Sequence, residues 1–115
     1  MVQRHRYDAL VIDDAVIEDA GRRLAEAAGS PARVVLFGSR ARGGARDDSD
    51  LDFLVIETRV ESKLDEMVRL RDALPPLGVP VDVVVVSEEE AARRERVPST
   101  LVYRALREGR VLVAA

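Results

Sequence analysis

A small mixed α/β (α+β) domain, one mixed β-sheet flanked by helices, is the fold class this sequence predicts. Three observations carry that expectation. Short runs of Val, Leu, Ile and Phe have the length of buried strands, the segments between them carry apolar residues at helical spacing, and 115 residues suffice for one core. The whole chain, 1–115, is therefore read as a single domain. With 47% apolar residues but only two Phe, two Tyr and no Trp, the core must be built from Val, Leu, Ala and Ile.

Residues 15–28, AVIEDAGRRLAEAA, place Val16, Ala20, Leu24 and Ala27 at helical spacing, with Asp13 or Asp14 as cap and Gly29 and Pro31 as the stop. ARVVLF (32–37) and LDFLVIE (51–57) follow as two apolar runs of strand length. The polar loop between them has room for one helical turn after Ser39. Residues 60–74 are amphipathic through Val60, Leu64, Met67 and Leu74, and Pro75-Pro76 ends that helix. VPVDVVVVS (79–87) is a third strand. Ser87 with Glu90 forms a capping box opening a short charged helix, whose Glu and Arg residues pair along an exposed face. Pro98 fits the first position of a last helix that Gly109 stops. Its apolar face, Leu101, Val102, Ala105 and Leu106, can cover the domain's own sheet or meet another protein. RVLVAA (110–115) adds a terminal strand.

Composition excludes several classes. A net charge of −3 argues against stable nucleic-acid binding, which needs a basic face to neutralise phosphates. Without cysteine and with His5 as the one histidine, there is no disulfide framework and no ordinary zinc centre. Any metal should be hard and bound by oxygen. The N-terminal MVQRHRYDAL lacks the apolar stretch of a secretory signal, and no run approaches the ~20 apolar residues of a membrane span. A cytoplasmic protein with no membrane partner is expected.

The chemistry concentrates between the first two strands. Side chains alternate across a strand, so Asp50 and Asp52 project to one face, their Cα atoms ~6.5–7 Å apart, and both can reach one divalent ion or bridge two. Asp82 interrupts an apolar strand, where a charge is costly unless paired or coordinated. If that strand lies beside the second, three carboxylates gather into a site that suits Mg²⁺. Gly38-Ser39 lets the backbone approach a phosphate and offers a hydroxyl and N–H groups, with Arg40, Arg42 and Arg46 nearby. Each feature alone has a plainer reading. Gly38-Ser39 can be a simple strand-to-helix turn, Asp50 and Asp52 a solvated strand entry, Asp82 an arginine's partner, Asp47 and Asp48 a loop face, and His5 a surface residue.

Taken together, GSRARGGARDDSDLD resembles the signature of the DNA polymerase β-like nucleotidyltransferase superfamily. That signature is a Gly-Ser, a spacer, Asp-x-Asp and a third Asp on a later strand, and here ten residues separate Ser39 from Asp50. The GSRARG wording and the short length look most like the minimal nucleotidyltransferases (MNT), antitoxins found beside HEPN-domain toxins. The resemblance implies the polymerase β-like fold, with Gly38, Ser39, Arg40 and Arg42 binding the nucleoside triphosphate. It implies that Asp50, Asp52 and Asp82 are catalytic and hold two Mg²⁺ ions. The expected activity is AMPylation: AMP passes from ATP to a hydroxyl, a tyrosine of a HEPN-domain toxin, which is silenced within a hetero-oligomer. Two alternatives stay open: transfer to a small molecule or an RNA end, and an antitoxin that neutralises by contact alone.

Overall fold

The computed structural model describes residues 12–43, 46 and 48–114. Helix α1 (Asp14–Ala27) starts at Asp13, whose carboxylate accepts from the Val16 N–H at 3.0 Å. Strand β1 (Ala32–Phe37) leads into a single turn, α2 (Ser39–Arg42), and the chain returns as β2 (Leu51–Glu57). Helix α3 (Lys63–Asp72) precedes β3 (Val81–Ser87), and then come α4 (Glu88–Arg94), α5 (Leu101–Glu108) and β4 (Arg110–Val113).

The sheet runs β3-β2-β1-β4. β1 is antiparallel to both β2 and β4, while β2 and β3 are parallel and so need the crossover that α3 provides. Strand alternation then divides the core between two faces. Val34, Leu36, Phe53, Val55, Val83 and Val85 pack under α1 and α3, through Ile17, Ala20, Leu24 and Leu70. On the other face, Val35, Leu54, Ile56 and Val86 meet Ala91 of α4 and Val102 and Ala105 of α5. α1 lies so close to β4 that a Cβ on Gly21 would stand 2.9 Å from the Leu112 Cβ. No helix among the described residues is long and apolar enough to cross a membrane.

The mixed α+β fold class and the bounds of β1 and β2 are as the sequence predicts. Several local expectations differ: the third strand starts at Val81 and not at 79, and the terminal strand is Arg110–Val113. α3 begins at Lys63, not at residue 60, because the Ser62 hydroxyl accepts from the Asp65 N–H and fixes the start there. Leu64 consequently points outward, 69% exposed, and Leu70 is the buried anchor. Pro98 is not the first residue of the last helix. Thr100 caps it, accepting from the Tyr103 N–H at 3.2 Å and donating to the Arg94 and Val97 carbonyls, which places Pro98 in the preceding turn. α5 covers its own sheet with Val102 and Ala105. At α4, the Ser87 hydroxyl accepts from the Glu90 N–H at 3.0 Å, and the Glu90 carboxylate pairs with Lys63 and Arg94.

Candidate active site

β2 is the axis of the site. In the parallel register Asp52 lies opposite Asp82, and in the antiparallel register it lies opposite Phe37, the last residue of β1. All of this is on the sheet face covered by α4 and α5, at the edge where those helices end. The Leu51 N–H donates to the Pro80 carbonyl at 3.0 Å, which ties the starts of β2 and β3 together just before the two aspartates. Asp52 is half-buried, whereas Asp50, one residue before the strand, and Asp82, at the second residue of an edge strand, are exposed. Asp82 is therefore not the buried charge that its apolar neighbours suggest, since the strand's first residues extend past the helices that cover the rest.

Asp52 carries the electrostatic strain instead. Burial, then the Asp82 and Asp50 carboxylates, push its carboxyl above the usual aspartate range, and Arg42 pulls it back only in part. The Asp50 and Asp82 carboxylates thus stand close enough to act on Asp52, with the exposed Arg42 guanidinium opposing them. Among the described residues no three acidic, His or Cys side chains gather tightly enough to cage a metal ion by themselves. The donor set nevertheless has the chemistry of a hard cation's site: oxygen only, and like charges that repel.

The turn after β1 brings Gly38 onto the same spot. Gly38 has φ +80°, a left-handed conformation, and an added Cβ would fall within contact of the Asp52 Oδ2, with the Asp52 Cγ 3.2 Å away. Gly38→Ala should therefore destabilise the protein by about 1–3 kcal/mol, from backbone strain plus the clash. Urea unfolding measures this, and a variant as stable as the parent would show that the turn relaxes freely.

Ser39 opens α2 beside Gly38. Arg40, expected on phosphate, donates from Nε to the Ser49 carbonyl at 3.0 Å and so braces the loop that delivers Asp50. The same loop is pinned by Arg46 N–H donating to the Ser49 hydroxyl at 2.8 Å. Arg42 is exposed and near enough to Asp52 to affect its ionisation. Arg46 and Asp48 form a loose, solvated pair at 3.9 Å. His5 and Asp47 lie outside the described residues.

A cavity of about 240 Å³ adjoins Gly38 and Arg42, walled by Phe37, Leu101 and Ala105 with Arg104 and Glu108 at its rim. Sequence reading did not connect α5 to the site. The signal was there only in part: Phe37 ends a strand next to Gly38, but which helix covers it depends on topology.

The nucleotidyltransferase domain family matches residues 17–112. The chain also resembles a candidate nucleotidyltransferase from Sulfolobus solfataricus, a solved crystal structure. The two are 28% identical, with a TM-score of 0.52 over 67% of this chain and 68% of that one. No curated protein matches the chain.

Proposed function

The chain belongs to the nucleotidyltransferase domain family, and from that premise we propose that it is an MNT-type antitoxin that transfers AMP from ATP to a tyrosine hydroxyl of a HEPN-domain toxin. It is a transferase. Nucleotidyltransferase domains generally use a nucleoside triphosphate and a divalent metal. The observation that carries the reading is the meeting of Gly38 with Asp52, the residue that the sheet pairs with Asp82. A turn that admits no side chain abuts a carboxylate that burial and like charges leave short of a counter-ion.

In this reading Gly38 and Ser39 present backbone N–H groups and a hydroxyl to the triphosphate, and Arg42 lends it a positive charge. Arg40 holds the loop. Asp50, Asp52 and Asp82 would hold Mg²⁺, two ions in the expected case, with the substrate's phosphates completing the coordination. The metal would supply charge neutralisation for the phosphoryl oxygens and the leaving pyrophosphate. Asp82, exposed at the sheet edge, is open to an incoming acceptor and takes the proton of the attacking hydroxyl on a carboxylate oxygen. That hydroxyl oxygen bonds to the α-phosphorus as the bond to pyrophosphate breaks.

Co-expression with a HEPN-type toxin encoded beside this chain tests the proposal. The toxin should gain ~329 Da per added AMP by intact-mass spectrometry, and growth should be restored. Rescue without any mass change would replace the enzymatic reading with neutralisation by contact.

A further inference from the structure

β2 ends, on the opposite sheet face from Asp52, in Glu57. This residue is 1% exposed, and its Oε2 has no hydrogen-bond partner. Its Oε1 accepts from the Ser30 hydroxyl at 3.4 Å. Beside it the Glu66 carboxylate accepts from the Gly29 N–H at 2.9 Å and from Arg69 at 2.8 Å. Both glutamates line a cavity of about 720 Å³ between the α1–β1 turn, the segment after β2, the first turn of α3 and the start of α4. Glu61, Asp65 and Glu89 bring its carboxylates to five, against the guanidiniums of Arg59 and Arg69, and Glu66 already engages the second.

We propose that this cavity binds an elongated polyammonium ligand of the polyamine class, with one ammonium over the Glu57–Glu66 pair and the others against Glu61, Asp65 and Glu89. Two carboxylates side by side, one of them buried with an oxygen that accepts no hydrogen bond, are costly, so the pair needs either a proton or a cation. The space and the spread of the carboxylates choose the kind of cation. Five acids distributed around some 720 Å³ suit charges separated along a chain. Among the described residues no three ligands converge there tightly enough to hold a bare divalent ion.

The proton makes the proposal measurable. Burial, then the Glu66 carboxylate, push Glu57 up to about 7. Burial also opposes charge on Glu66, but its bonds with Glu57, the Gly29 N–H and Arg69 outweigh that and hold it below the usual range. The other charges facing the pair are Asp65 and Arg69 from α3, Glu89 from α4, and Arg59 and Glu61 after β2, while the α1–β1 turn offers only Gly29 and Ser30. An ammonium seated there releases the Glu57 proton to water. Affinity should thus be about tenfold tighter at pH 8 than at pH 6, the effect of one linked proton.

Spermidine titrated into the whole chain, by calorimetry in two buffers of different ionisation heat and by amide NMR, provides the test. We expect shifts at Gly29, Ser30 and Thr58, and release of close to one proton at pH 6. Glu57→Gln should stay folded and lose the tenfold pH ratio, while Glu61→Gln with Glu89→Gln should weaken binding at both pH values and keep the ratio. The proposal is overturned if sodium chloride of matched ionic strength or magnesium chloride reproduces the shifts, if spermidine does not bind, or if Glu57→Gln retains the pH ratio. None of these readouts depends on nucleotide transfer.

Discussion

Replacing Asp50 and Asp52 together by asparagine should lower nucleotide transfer on the order of 10³-fold or more, a barrier increase of several kcal/mol at about 1.36 kcal/mol per decade. The fold should survive. Asp52 is held above its usual range by burial, Asp82 and Asp50, so its ionisation works against the folded state. Its contribution to stability is complete below the unfolded pKa and declines as pH rises through the folded one. Asparagine keeps the shape and discards the charge, so at neutral pH the double variant should unfold at the same or slightly higher denaturant concentration. Labelled-ATP transfer and urea unfolding, read by circular dichroism, give the two numbers. On the proposed function, the variant should still bind a HEPN-type toxin while adding no mass to it. Undiminished transfer by a folded variant would remove these aspartates from the chemistry.

The strands and the turn that carry these residues were more legible in the sequence than their surroundings, for a physical reason. Asp-x-Asp at a strand and Gly-Ser after a strand are local patterns, set by alternation and by one turn; the structure puts Asp52 on β2 beside β1, with Gly38-Ser39 following β1, while Asp50 stands one residue before β2, outside the strand alternation expected for it. That Asp82 would join them required only that β3 lie beside β2, and the parallel register aligns the two residues. Exposure was harder to read. Asp82 is exposed because β3 is an edge strand and its first residues outrun the helices, which no local window records. Leu64 faces outward because one hydrogen bond at Ser62 sets where α3 begins and hence which residues face the sheet. Arg40, grouped by sequence with the phosphate ligands, also reaches across its own loop to the Ser49 carbonyl, a contact no local pattern records. Glu57 was legible and was missed. Period-two alternation along LDFLVIE puts it on the same face as Phe53 and Val55, both fully buried, so its burial follows from the strand assignment alone.

Glu57→Gln is expected to stabilise the protein, and only in a defined pH range. The Glu57 carboxyl rises from 4.5 to about 7 on folding, chiefly through burial and secondly through Glu66. A group with a raised folded pKa contributes its full stability below the unfolded value and loses it as pH climbs to the folded one, so the parent should weaken between about pH 4.5 and 7. Glu66 is lowered, so its own contribution is present above the unfolded value and lost only at more acid pH. It does not oppose the trend within that window. Glutamine cannot ionise, fills the same volume and can donate its amide to the Glu66 carboxylate, so it lacks the decline. The variant should exceed the parent by about 1–3.4 kcal/mol at pH 8, the upper figure being the full rise from 4.5 to about 7 at ~1.36 kcal/mol per pH unit, and the gap should nearly close at pH 4.5. Glu57→Ala separates charge from packing. It too removes the ionisation but leaves a void beside the α1–β1 turn and the first turn of α3, so it should gain less than glutamine at pH 8 and fall below the parent in acid. Urea unfolding of all three proteins at pH 4.5, 6 and 8 reads the result. A Glu57→Gln advantage of equal size at every pH would mean that the buried carboxylate is ionised throughout, stabilised by a partner other than a proton.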